Sequence, residues 1–280
     1  DSNWFIDSGP LPLVDKVKKT MAFADFRYYH ERPYDDGFPT TLGRTLSSFG
    51  MGANADTYRM PLSTEGGTFQ STSDGICFTG TRQLFSMSCQ ITGCDASTGG
   101  VPSWSNGGNQ YVNISQVQNH GMAKEIRKQW KEYAGCKDTI ITHSITDDGT
   151  GHIDMYFKVI DDNTILLGEY KAPYQAGTKQ QENAALLDET AAYLANYVKP
   201  DGTKFKVHRL IMPGHRNTDE GWVPFTYINS TFINGLNLWP ATVYPEWEAS
   251  RNQAQAKWEE LMPDYEHIWI DSTTLSFWSG

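Results

Sequence analysis

The sequence predicts an α+β fold built from repeated ββαβ units. Two observations carry this. Helix-period stretches recur at 115–133, 181–198 and 246–261, spaced by roughly 65 residues. Each follows a hairpin-like pair of apolar runs and precedes a short strand. The likeness is one of pattern, with no residue-level repeat. At 280 residues the chain is read as a single domain spanning 1–280, and 39% hydrophobic with 13% aromatic residues is enough for a real core.

Residues 21–29, MAFADFRYY, alternate as a strand, and HERPYDDGFP after them reads as a loop. Residues 42–56 fit at most a short helix. Two short strands follow around Gly66-Gly67, with a turn at Ser73-Asp74-Gly75. Residues 83–112 are rich in Ser, Gly, Thr and Asn and read as an insertion, of the length that is usually functional. Ser115 is placed to cap the 115–133 helix, whose stripe is Val117, Met122, Ile126, Trp130 and Tyr133, and Gly135 ends it. Residues 138–142 form a buried strand. Asp161-Asp162-Asn163 separates two apolar runs within 149–170, which predicts a hairpin. The 181–198 helix buries Leu186, Leu187, Thr190, Leu194, Tyr197 and Val198. Residues 204–212 alternate as a strand, and PGHRNTDEGW is read as a loop. Residues 223–239 form a hairpin turning at Asn234-Gly235, then come the 246–261 helix and a last strand at 267–271. Trp269 and Trp278 are expected in the core.

Net charge is −10, with pI ≈ 5.1. An acidic surface argues against a partner whose phosphates must be tracked, so no nucleic acid is expected. No apolar run reaches about 18 residues, so no membrane span is expected. The four cysteines are Cys77, Cys89, Cys94 and Cys136. Cys89 and Cys94 suit a local disulfide, and Cys77 with Cys136 could form a second. None has zinc-site spacing. Asn113-Ile114-Ser115 and Asn229-Ser230-Thr231 match the glycosylation pattern. Together with the cysteines this points to an extracytoplasmic or secreted protein, and oligomerisation or assembly is left open. The chain starts at Asp1 without a methionine or a signal peptide, which raises processing or truncation.

The candidate chemistry centres on His152 and Asp154. Two residues apart at the entrance of a strand, they would project to one side. An imidazole and a carboxylate on one face suit proton transfer and cation binding. Two unrelated polar residues at a strand entrance would read the same way. His143, Asp147 and Asp148 could add to a cation site, although aspartates before glycine are ordinary turn residues. His215 and Arg216 lie on a loop that nothing in the sequence ties to them.

Five stretches resemble one family. DSNWFIDSGP is similar to the D-S-x-W-x-R-D-x-G-P motif of bacterial-type peptidylarginine deiminases and agmatine deiminases, and ADFRYYHERPYDDGFP to their D-F-x-Y-x-x-x-R-P-x-D-D segment. MPLSTEGGTFQSTSDGICFT resembles their G-G-N-x-x-x-D-G strand pair, GHIDMYFKVIDDNTILLGEY their G-H-x-D hairpin, and FTYINSTFINGLNLWP their Y-x-N-x-x-x-x-N-x-x-x-x-x-P hairpin. The motifs keep the family order from residue 1 to 240. The resemblance implies a pentein-type propeller of ββαβ blades around a central site. It implies deimination of a guanidinium, in an arginine-containing peptide or a small guanidino compound, to a ureido product and ammonia. No cofactor or metal is implied. In that chemistry a cysteine thiolate attacks the guanidinium carbon, two carboxylates hold the cation, and a histidine protonates the departing ammonia. By motif position, Asp7 and Asp154 are the carboxylates and His152 the acid/base. Asn229 is a site asparagine, Trp4 the indole beside the guanidinium, and Arg32 a grip for a substrate carboxylate.

The departures from the family pattern also matter. The family nucleophile belongs to a segment expected just past Gly280, and none of the four cysteines stands in its context. The family's first blade is also expected to be absent. Ile6 replaces an arginine, Ser8 an aromatic or small residue, Thr68 an asparagine and His30 a second gripping arginine. Two readings follow: a deiminase, or an inactive relative that binds or assembles.

Overall fold

The computed structural model describes residues 5–28, 32–49, 56–84, 113–218 and 221–276. Within them, four antiparallel hairpins each gain a parallel third strand after a helical crossover. The first unit is Leu11–Asp15, Thr20–Arg27 and Asp56–Ser63, with Phe38–Ser48 as its helix. The second is Phe69–Ser71, Ile76–Gly80 and Asp138–Thr142. The third is Phe157–Val159, Thr164–Glu169 and Lys206–Ile211. The fourth is Thr231–Ile233, Leu236–Ala241 and Glu266–Asp271. The pattern follows from pairing geometry: a tight turn can join antiparallel strands, whereas parallel strands need a long crossover.

Three of these units match the helix spacing. The first does not show in the helix periodicity, because Phe38–Ser48 is short and carries Pro39, Gly43 and several Ser and Thr residues. Asn234 and Gly235 adopt φ of 49° and 81°, as the two-residue turn of the last hairpin requires.

Other elements differ from expectation. The 115–133 helix is two helices, Ile114–Asn119 and Gly121–Ala134, broken at His120. Its cap is Asn113 rather than Ser115: Asn113 accepts from the Gln116 N–H while Gln116 accepts from the Asn113 N–H. Gly135, at φ 71°, does close the second helix. The 181–198 helix is Gln180–Asn196, which leaves Val198 outside it and exposed. The PGHRNTDEGW stretch contains a hairpin, His215–Thr218 with Gly221–Pro224, rather than a simple loop. Trp269 is not core: it is 41% exposed, with the Arg251 guanidinium 5.3 Å from its ring. Trp278, the Cys89/Cys94 pair and most of the 83–112 insertion lie outside the described residues.

The main core runs beneath the second, third and fourth units and contains fully buried Trp239 and Trp258. A second cluster gathers around Trp130 and includes Cys77 and Cys136, which form a disulfide. No helix among the described residues is long and apolar enough to cross a membrane.

Single side chains tie the first strands of adjacent units to one another. The Gln70 side chain donates to the Phe157 carbonyl at 2.7 Å and accepts from the Val159 N–H at 2.9 Å. The Lys158 ammonium donates to the Ser230 carbonyl. These ties place the first strands of units two, three and four around one cavity of about 550 Å³.

The Cys77–Cys136 bridge closes a separation of 59 residues. In a C77A/C136A variant, unfolding in urea is expected to show a stability loss of about 2–4 kcal/mol. An unchanged midpoint would mean that the surrounding packing alone fixes this cluster.

Candidate active site

Three short turns, distant in sequence, pack together and contribute Ile6, Gly66 and Asp154 to the lining of this cavity. Phe5–Ser8 carries Asp7, Gly66–Thr68 follows Glu65, and Ile153–Met155 follows His152. Two glycines allow the approach. A Cβ on Gly66 would stand 1.8 Å from the Ile6 carbonyl oxygen, and one on Gly67 would stand 2.4 Å from His152 Nδ1. The Gly67 N–H donates to the Asp7 carboxylate. Thr68, where the family pattern has asparagine, donates its hydroxyl to the Glu65 carbonyl at 2.6 Å and so tightens the turn.

His152 Nε2 lies 2.7 Å from Glu65 Oε2, and Nδ1 lies 3.8 Å from Asp7 Oδ1. From below, the His152 backbone N–H donates to Asp148 Oδ2 at 3.0 Å. Asp154 follows within the 3₁₀ turn. Its Oδ1 is shielded from solvent and has no hydrogen-bond partner among the described residues. Asp154 and Asn229 line the cavity together, with Lys158, Ile6, Gly66 and Phe69 among the other walls. Arg32 donates to the Tyr28 hydroxyl at 3.4 Å, and its charge is felt at Asp7. Trp4 lies outside the described residues.

The shared strand face expected for His152 and Asp154 is not found. The strand begins only at Phe157; His152 caps a 3₁₀ turn and Asp154 lies within it. Gly151, at φ 67°, and the Asp148 bond to the His152 N–H bend the chain before the ladder can form.

The electrostatics of the site are set by burial and by the charges its groups exert on one another. Burial pulls the His152 imidazole down. The Glu65 hydrogen bond and charge, then Asp154 and Asp7, outweigh burial and hold it up at about 10. Burial raises Asp7 to about 6, with His152 opposing and Glu65 adding. Burial raises Asp154 to about 7, with His152 opposing and Asp7 adding. Burial lowers Lys158 to about 8 against the pull of Asp154. Around neutral pH the site therefore holds an imidazolium among carboxylates that are costly to ionise, and a further cation would stabilise them.

Asp7, Glu65 and His152 offer atoms within 4.8 Å of one another, a composition that could surround a metal ion. However, His152 and Glu65 are hydrogen-bonded directly to each other, so the arrangement is closed on itself rather than opened around an ion.

Glu65 was not among the residues singled out from sequence. It precedes the Gly66-Gly67 pair, and that pair was the available signal: two glycines mark a close approach, and the polar neighbour of such a turn is positioned by it.

Fold and site together define a mixed α+β protein of the kind seen in pentein deiminases, with a histidine and several carboxylates at one end of a cavity. Residues 109–280 match the family model of the Porphyromonas-type peptidyl-arginine deiminases, and the chain belongs to that family. Among solved structures, a candidate arginine deiminase from Porphyromonas gingivalis has TM-score 0.71 at 21% identity, covering 100% of this chain and 73% of that one. The agmatine deiminase of Enterococcus faecalis has TM-score 0.70 at 16% identity, covering 99% and 71%. A substrate-bound agmatine deiminase of C. jejuni has TM-score 0.66 at 18% identity, covering 100% and 72%. At these identities the likeness is one of fold. Among curated proteins none matches this sequence.

Two substitutions test the geometry. In E65Q the His152 ring, followed by NMR titration, is expected to fall from about 10 towards the ordinary histidine range. The stability that this pair contributes is complete below about pH 6.5 and is lost as pH rises through about 10, so the pH dependence over that window should flatten in E65Q. In G67A the new methyl group meets the imidazole, and urea unfolding is expected to show a loss of about 1–3 kcal/mol. A G67A protein of unchanged stability would refute the close approach.

Proposed function

We propose that this protein binds the guanidinium of an arginine-containing peptide or of a small guanidino compound, and acts on it as a deiminase-type hydrolase. The observation that carries this reading is the shielded, unpartnered Oδ1 of Asp154 lining a cavity with Asn229, near Asp7 and His152. A planar cation with forked N–H donors suits two such carboxylates. Asp7 and Asp154 hold the cation. His152, kept protonated by Glu65, is the proton donor for the ammonia that leaves when a thiolate attacks the guanidinium carbon. Water then releases the ureido product and regenerates the thiol. In this reading Arg32, whose charge is felt at Asp7, receives a carboxylate on the same ligand.

A second reading is a guanidinium-binding protein without turnover, in which neither Cys77 nor Cys136 supplies a thiolate. Cys77 and Cys136 are buried in a disulfide, and no free cysteine occurs among the described residues.

Agmatine and benzoyl-arginine amide, titrated by calorimetry, separate these readings from no function at the site. Protonation removes the charge of Asp154 below about 7 and of Asp7 below about 6, so affinity is expected to rise with pH through that window. D154N should weaken binding by about 1.5–3 kcal/mol, the usual range for a hydrogen bond to a charged group. Ureido product from either compound supports the hydrolase, and binding without product supports the second reading. Absence of binding at all pH values would refute both.

A further inference from the structure

Two adjacent aspartates in the loop before His152 face opposite ways. Asp148 turns inward. Besides its bond to the His152 N–H, it accepts from the Thr150 N–H at 3.0 Å and the Thr150 hydroxyl at 2.7 Å. Asp147 turns outward. Its Oδ1 accepts from Asn183 at 2.6 Å, and its Oδ2 lies 2.6 Å from His215 Nε2.

The direction of the His215 bond is fixed by its neighbours. The Gln175 N–H donates to Gln180 Oε1 at 2.9 Å, so the Gln180 amide nitrogen is the group that reaches His215 Nδ1 at 3.1 Å. A ring nitrogen that accepts carries no proton, so the proton sits on Nε2 and is donated to Asp147. The Gln175 side chain also donates to the His215 carbonyl at 3.0 Å and accepts from the His215 N–H at 2.9 Å. His215 is 1% exposed. The helix Gln180–Asn196 holds the same loop at two more points: Asn183 Oδ1 accepts from the Thr146 N–H at 2.8 Å, and His143 Nε2 lies 2.9 Å from Glu189.

We propose that His215 and Asp147 are positioning residues for His152. The hairpin that His215 opens stands outside the four repeats. Through Asp147 it braces the turn from which Asp148 holds the His152 backbone, and so sets where the imidazole meets Glu65 and Asp7. Buried polar pairs of this kind add little net stability against apolar packing, whereas they fix orientation well. A brace also explains what these residues do instead of binding a cation: both oxygens of Asp147 and of Asp148 are already engaged by protein groups.

The binding arm of the test rests on the guanidinium reading, and the spectroscopic arm does not. H215A, H215Q and D147N are made in the full chain. The ¹⁵N shifts of the His152 ring, agmatine affinity and the urea midpoint are measured for each. H215A and D147N are expected to move the His152 ring shifts and to weaken agmatine by roughly tenfold. H215Q, whose amide N–H can reach Asp147 from the place of Nε2, should restore most of both. Folded H215A with unchanged ring shifts would overturn the proposal even if its midpoint falls, and so would H215Q behaving like H215A. If the unsubstituted protein binds neither agmatine nor benzoyl-arginine amide, the guanidinium reading fails while the ring shifts still decide this one. Should H215A not fold, D147N, which leaves His215 in place, carries the same comparison.

Discussion

The contact between His152 and Glu65, 2.7 Å long and largely shut off from water, is the constraint on which the site depends. It joins turns 87 residues apart in sequence. Buried ion pairs return little net stability once desolvation is counted, so this one needs support. Gly67 supplies it by leaving room for the ring, and its N–H fixes Asp7 beside the ring. Asp148 supplies it from below through the His152 N–H. If either partner is removed, a buried charge is left without its counterpart, which is the costly outcome.

The four ββαβ units position these turns. Each functional turn precedes or ends a strand of a unit whose helix packs behind it. Above the shared core, the units are linked by polar side chains rather than by a continuous ladder: Gln70 and Ser73 join the second to the third, and Lys158 the third to the fourth. That leaves a cavity between their first strands instead of a closed sheet, and Asp154 and Asn229 reach it from different units.

The charge pattern is what favours the proposed reading of an organic cation. Asp7 and Asp154 ionise reluctantly because burial opposes it, while His152 is held positive by Glu65. A ligand bringing positive charge and planar donors would satisfy the carboxylates without competing for the imidazole. One environment can thus hold acceptors and a proton donor side by side.

The sequence by itself determined the repeat and the hairpin turn at Asn234-Gly235, and its family motifs put forward Asp7, His152, Asp154 and Asn229 as candidates for one site. Turn residues and helix periodicity are local signals, and the family motifs add order along the chain. Tertiary structure decided how the site is assembled. The shared strand face of His152 and Asp154 gave way to a 3₁₀ turn because an aspartate four residues earlier captures the His152 N–H. Glu65 is marked in sequence only by the Gly66-Gly67 pair after it, and a glutamate there is ordinary until the fold brings an imidazole against it. His215 and Asp147 read as loop polarity for the same reason: their partners come from other elements. Local chemistry sets which turns and helices can form. Which buried polar groups face one another depends on contacts between distant segments, and only packing fixes those.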